Sequence, residues 1–286
     1  MRQRVDLSAA YAAEGYDAFH YWALQTGRLA AADYELSFHI GAIGELDASA
    51  AQRHYQVSTV SALAYPSLAD DYRILGVGAC VERGAGPVLV SRHYHHLAQL
   101  QFRRVAVAQL TGLDGLLTHW ACPDAELIEL DAAFMSEAVA TGQVDAAVLS
   151  DGRLPAGIEL HPITALGALW RRQTGLPLPL RLKIIDRRCD AEAAGRVCEL
   201  LRGSLRLALE HQAEALLFAA AFPGEHGDEQ LTQSAMRDGL AMADDVRMAL
   251  GQLFSLAKSN GRIAALPDIE IVDGAAAGSL VELPTA

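Results

Sequence analysis

The chain has 286 residues, 51% of them hydrophobic and 20% charged. This fits one large α/β domain or two lobes of roughly 100 to 180 residues, and it excludes a disordered or low-complexity protein. With Lys+Arg 23 against Asp+Glu 35, the formal charge of −12 repels phosphate backbones and anionic headgroups, and no basic run offsets it.

Met1 to Tyr21 carries Arg2, Arg4, Asp6, Glu14 and Asp17, so it lacks the apolar stretch of a secretory signal. No segment approaches the roughly 18 uninterrupted apolar residues of a membrane span. Cys80, Cys122, Cys189 and Cys198 lie far apart without C-x-x-C spacing, against both a zinc knuckle and a disulfide framework. The expected location is the reduced cytoplasm.

In chain order, Asp17 to Arg28 places Phe19, Trp22 and Ala23 on one helical face and stops near Gly27, and Tyr34 to Ile40 alternates as a short strand. Ala48 to Arg53 is a helical turn before the strand Tyr55 to Val60. Ala62 to Asp70 is a second helical stretch, interrupted by Pro66. Arg73 to Ala79 and Pro87 to Ser91 are strands around a glycine-rich segment. Arg104 to Val107, Ala125 to Leu130 and Ala146 to Leu149 are strands alternating with helices at Asp114 to Trp120 and Phe134 to Thr141. Such units predict parallel sheets with right-handed crossovers, hence an α/β class. Beyond the strand Leu182 to Ile185, long helices follow, over Ala191 to Phe222 and Asp228 to Asn260.

The commonest catalytic motifs are missing. Gly76-Val77-Gly78 lacks the third glycine of a dinucleotide fingerprint, and neither a G-x-S-x-G elbow nor a Walker loop occurs. His93-Tyr94-His95-His96 has no carboxylate or cysteine at ligand spacing, so it reads as a surface loop rather than a metal site.

Three polar segments border strands, where the loops of an open α/β sheet gather around ligands. Val57-Ser58-Thr59-Val60-Ser61 offers alternating hydroxyls that suit a carboxylate or an N-cap. Leu110-Thr111-Gly112-Leu113-Asp114 again meets a helix start, where Thr111 or the Gly112 amide reaches an anion or caps the helix. Leu149-Ser150-Asp151-Gly152-Arg153 ends a buried strand, and Asp151 there is a general base or a turn residue.

Val81 to Arg92, V-E-R-G-A-G-P-V-L-V-S-R, and Leu166 to Leu180, L-G-A-L-W-R-R-Q-T-G-L-P-L-P-L, resemble the menaquinone-biosynthesis family that includes 1,4-dihydroxy-6-naphthoate synthase. Asp17-Ala18-Phe19, Ala64-Tyr65-Pro66, Gly142 to Ala147 and Gly152-Arg153 keep the family's order, so the resemblance runs from about Tyr11 to Ile263. It implies a two-lobed fold like the type II periplasmic solute-binding proteins, with an interlobe cleft. Residues 1–92 and 181–286 are expected in one lobe and 93–180 in the other.

The resemblance also implies a lyase of the futalosine pathway that cleaves cyclic dehypoxanthinylfutalosine without a metal or organic cofactor. The expected partner is a small carboxylated substrate, with neither nucleic acid nor membrane, and a homodimer is left open. The family's substrate contacts fall on Asp17, on Thr59, Val60 and Ser61, near Thr111 and Gly112, and on Arg153. The family's first loop is largely rewritten here as Ala12-Ala13-Glu14-Gly15-Tyr16-Asp17. Its catalytic histidine falls on Ser150 when the arginine is aligned and on Asp151 when the strand is, which makes these two the catalytic candidates. The alternatives are a non-catalytic small-anion-binding paralogue and an enzyme of specialised metabolism on the same scaffold.

Overall fold

Aliphatic runs buried on both faces form the central strands of two sheets, as strands covered by helices require. The computed structural model describes residues 4–31, 33–150, 152, 154, 157–223 and 227–274. In chain order the first elements are β1 (Val5–Ala12), α1 (Gly15–Gln25), β2 (Tyr34–Gly41), α2 (Ile43–Ala51), β3 (Val57–Ser61), β4 (Tyr72–Leu75), β5 (Cys80–Glu82) and β6 (Val88–Ser91). Next come β7 (Arg104–Val107), α3 (Leu113–Ala121), β8 (Glu126–Glu129), α4 (Met135–Ala140), β9 (Ala146–Leu149), β10 (His161–Ala165) and α5 (Leu166–Thr174). The last are β11 (Leu178–Asp186), α6 (Ala191–Glu210), α7 (Gln212–Ala219), α8 (Asp228–Ser234), α9 (Asp244–Ser259) and β12 (Ile271–Val272).

The chain divides into two compact units. The first takes the residues up to Val81, Pro179–Leu250 and those from Ala265 on; the second takes Glu82–Leu178 and Gly251–Ala264. Residues 82–92, expected with the first lobe, lie with the second because β6 pairs with β9, Val88 opposite Leu149 and Ser91 opposite Ala146.

The first sheet has the order β12-β4-β11-β3-β1-β2, with β5 beside β11. The second has the order β10-β6-β9-β7-β8. Both are mixed rather than wholly parallel. β1 runs parallel to β2 and β3, and β7 to β8 and β9, but β11 is antiparallel to β3 and β6 to β9.

In the first unit α1 is buried along nearly its whole length, with Phe19 and Trp22 packed among Val197, Leu201 and Leu205 of α6. Two helices expected to be continuous are broken. Backbone at His211 (φ −112, ψ 45) ends α6, and a π turn at Ala235–Gly239 follows α8. There the Gly239 carbonyl accepts from the Gly78 amide at 2.6 Å, and a Cβ on Gly239 would lie 2.8 Å from His20 Cε1, so this close approach needs glycine.

The core of the second unit joins Val90, Ala106 and Ala147 of the sheet to Met135, Ala138 and Val139. The two strings carrying the family resemblance pack on each other here. Leu166 and Ala168 amides donate to the Pro87 and Ala85 carbonyls, and a Cβ on Gly86 would stand 3.2 Å from Gly167 Cα. Trp170 is buried and donates its indole N–H to the Pro177 carbonyl at 2.9 Å. These motifs therefore specify packing rather than chemistry.

Candidate functional site

In the second unit, β7 and β9 lie side by side and parallel, with Val105 opposite Ala146 and Ala106 opposite Ala147. Their carboxyl ends therefore release two loops on one edge, where open α/β sheets gather ligands. After β9, the Gly152 amide donates to the Leu149 carbonyl at 3.1 Å, with Gly152 at φ +71 closing the turn. That turn leaves Ser150 exposed. After β7, a turn closed from the Gly112 amide to the Gln109 carbonyl starts α3 and sets Asp114 in its first turn.

The two loops meet through side chains. Ser150 Oγ donates to Asp114 Oδ2 at 2.5 Å, the short distance of a hydroxyl on a carboxylate. Burial pushes the Asp114 carboxyl above its usual range, and the Ser150 hydrogen bond offsets only part of the rise. The loop that carries Asp114 is fixed: the Leu110 amide donates to Glu129 at 2.8 Å, and its carbonyl accepts from Arg262. Gly115 lets the helix approach this turn, since a Cβ there would lie 2.7 Å from the Gln109 carbonyl oxygen.

The structure thus gathers Thr111, Gly112 and Ser150 on one strand edge, with Thr111 and Ser150 exposed and Gly112 as the N-cap residue. Asp151 and Arg153 lie outside the described residues. His161 lies away from this edge. It pairs with Ser91, which pairs with Ala146 at the start of β9, so His161 sits at the opposite end of the sheet from Ser150. There it stacks on His95 at 3.9 Å. Among the described residues no group of three or more His, Cys, Asp or Glu is placed to hold a metal ion.

The other sequence candidates belong to the first unit and have partners within it. Asp17, at the start of α1, accepts from the Ala12 amide at 3.1 Å and from Lys183 Nζ at 2.5 Å. Lys183 Nζ also reaches Thr59 Oγ1 at 3.4 Å and stands 4.8 Å from the centre of the Tyr21 ring. Burial works against the Asp17 carboxylate, but Lys183, then Arg181, outweigh it and hold its pKa below the ordinary value.

Burial, reinforced by Lys183, depresses the pKa of His20 to about 3. Arg181 pairs with Glu14, the residue before α1, and approaches Cys80 Sγ at 3.4 Å. Val60 is fully buried. The Ser61 amide and hydroxyl both donate to Asp47, at 2.8 and 2.6 Å, so the carboxylate this cradle meets is the chain's own.

Sequence reasoning missed Asp114, Lys183 and Arg181 as site members. Asp114 was visible only as a helix-start residue. The signal for the other two was a pair of cations in the otherwise apolar L-R-L-K-I-I run of β11, which inside a sheet demands buried partners.

Two α/β units of this topology define the fold of the solute-binding proteins. Over 99% of this chain and 97% of the other, the structure superposes on the periplasmic aliphatic sulphonate binding protein SsuA of Escherichia coli with a TM-score of 0.64 at 12% identity. A protein from Archaeoglobus fulgidus is nearer, with a TM-score of 0.77 and 30% identity over 90% of this chain and 98% of that one.

Residues 10–259 match the menaquinone-biosynthesis family, and the chain belongs to it. It is 31% identical over 218 residues to the 1,4-dihydroxy-6-naphthoate synthase of Streptomyces coelicolor, covering 71% of this chain and 73% of that one. It is 30% identical over 258 residues to the synthase of Thermus thermophilus, covering 88% of this chain and 93% of that one.

Proposed function

We propose that this protein is a cytoplasmic carbon–carbon lyase of the 1,4-dihydroxy-6-naphthoate synthase type, acting on cyclic dehypoxanthinylfutalosine or a similar carboxylated substrate. The observation that carries the reading is the exposed Ser150 hydroxyl, donating to a carboxylate 2.5 Å away, at one of the two positions that the family resemblance aligns with its catalytic histidine. Thr111, exposed beside it, supplies a neutral donor for the substrate's carboxyl group. Gly112 makes room for the Gln109 side chain at the start of α3, since a Cβ there would lie 3.1 Å from Gln109 Cβ. Asp17, Thr59 and Ser61 serve in this reading as the internal support of the first unit, because their polar atoms face Lys183 and Asp47.

A second reading, a non-catalytic small-anion-binding paralogue, draws its support from the burial of Asp17, 1% exposed and neutralised by Lys183. Complementation separates the two. A bacterium that makes menaquinone through futalosine and lacks its own naphthoate synthase should grow without added menaquinone when it expresses this chain. Full-level expression with no growth would favour the binding protein.

A further inference from the structure

The carboxylate behind Ser150 is so far only a hydrogen-bond partner. We infer that Asp114 and Ser150 act together as the base of the reaction, with Ser150 touching the substrate and Asp114 positioned to take the proton through it. This rests on the lyase reading above.

A serine hydroxyl alone is too weak an acid to exchange protons near neutral pH. A carboxylate in short hydrogen-bond contact behind it supplies the missing acceptor, in the same division of labour as a nucleophile with its adjacent base. Three features of the second unit hold the pair in that relation. Ser150 Oγ lies 2.5 Å from Asp114 Oδ2. The parallel register of β7 and β9 delivers both loops to the same edge. Gly152 at φ +71 closes the turn after β9, and Gly115 lets α3 approach the turn before Asp114 closely.

The proton balance is simple. A substrate hydroxyl gives its proton to Ser150 Oγ while the serine's own proton passes to Asp114 Oδ2. The electron pair left on the substrate oxygen forms a carbonyl as the neighbouring carbon–carbon bond breaks. The carbanion released is protonated from Asp114 back through Ser150, so the pair ends as it began and no oxidant, reductant or cofactor is consumed.

Two charged groups bind this turn: Glu129 at the end of β8, which accepts from the Leu110 amide, and Arg262 after α9, which donates to the Leu110 carbonyl. His119 lies further along α3 itself. Burial and the Ser150 hydrogen bond, not a charge pair, set the state of the Asp114 carboxyl.

The test is the pH profile of turnover of cyclic dehypoxanthinylfutalosine by the full chain and by the Ser150→Ala and Asp114→Asn variants, with thermal unfolding as the check on folding. Each variant should lose at least about 100-fold in kcat with KM within a few fold, and the double variant should be no slower than either single one. The acid limb of the kcat/KM profile should disappear in Asp114→Asn. Ser150 is exposed, so Ser150→Ala remains informative if Asp114→Asn fails to fold. A folded Asp114→Asn protein, or Ser150→Ala, that keeps the full rate and the same acid limb overturns the inference and leaves the lyase reading intact. No product from the unaltered chain overturns both.

Discussion

Lys183 Nζ stands 2.5 Å from Asp17 Oδ1, with the two side chains only 1% and 2% exposed. The pair joins β11 to the first turn of α1, so the first loop is anchored from within the unit. A buried ion pair gains little over an apolar pair of the same shape, but removing one partner strands the other charge.

Lys183→Met should therefore destabilise the protein by about 3 to 5 kcal/mol in urea unfolding. Adding Asp17→Leu should recover part of that loss, because it removes the stranded carboxylate. Single and double variants of equal stability would show that the pair is not sealed as described.

His20 gives the protein an acid sensitivity. Its pKa is about 3 in the folded chain, well below its ordinary value, because the ring is buried beside Lys183. Between those two values the unfolded chain binds the proton and the folded one does not. Stability therefore falls as pH drops from about 6.5, by about 2 kcal/mol down to about pH 5. Asp47 and Asp114, whose carboxyls are raised by burial, work in the opposite direction on acidification. His20→Gln should flatten the fall in unfolding free energy between pH 6.5 and 5; an unchanged slope would mean that the ring is protonated in the fold.

Glycine positions supply a paired test of the site's support. A Cβ on Gly115 would lie 2.7 Å from the Gln109 carbonyl oxygen, whereas one on Gly251 of α9 meets nothing within 4 Å. Gly115→Ala should cost about 1 to 3 kcal/mol and disturb the Asp114–Ser150 contact. Gly251→Ala should stabilise by about 0.5 to 1 kcal/mol, as alanine replaces glycine inside a helix. Differential scanning calorimetry reads both; similar shifts in the two variants would remove the packing argument.

Much of the fold was legible in sequence because branched aliphatic runs bounded by polar residues admit few other readings. Arg104–Val107 and Ala146–Leu149 are strands at the expected residues. β1 escaped notice because its S-A-A-Y-A end is rich in alanine, a poor strand former, yet burial between two parallel neighbours decides its state. The long helices read as continuous because a break at His211 or a π turn at Ala235 is set by tertiary contact and not by proline. Of the site, Ser150, Thr111 and Gly112 could be singled out from their positions after strands. Their meeting with Asp114 could not, since Ser150 and Asp114 lie 36 residues apart and are joined only by the register of β7 and β9.

Incubating the purified chain with cyclic dehypoxanthinylfutalosine and following products by mass spectrometry tests the central claim most directly. The account predicts time-dependent appearance of 1,4-dihydroxy-6-naphthoate without added metal or cofactor, abolished to background in Ser150→Ala. Calorimetric binding of the same compound with no product at any pH between about 6 and 9 would contradict the lyase and leave a binding protein.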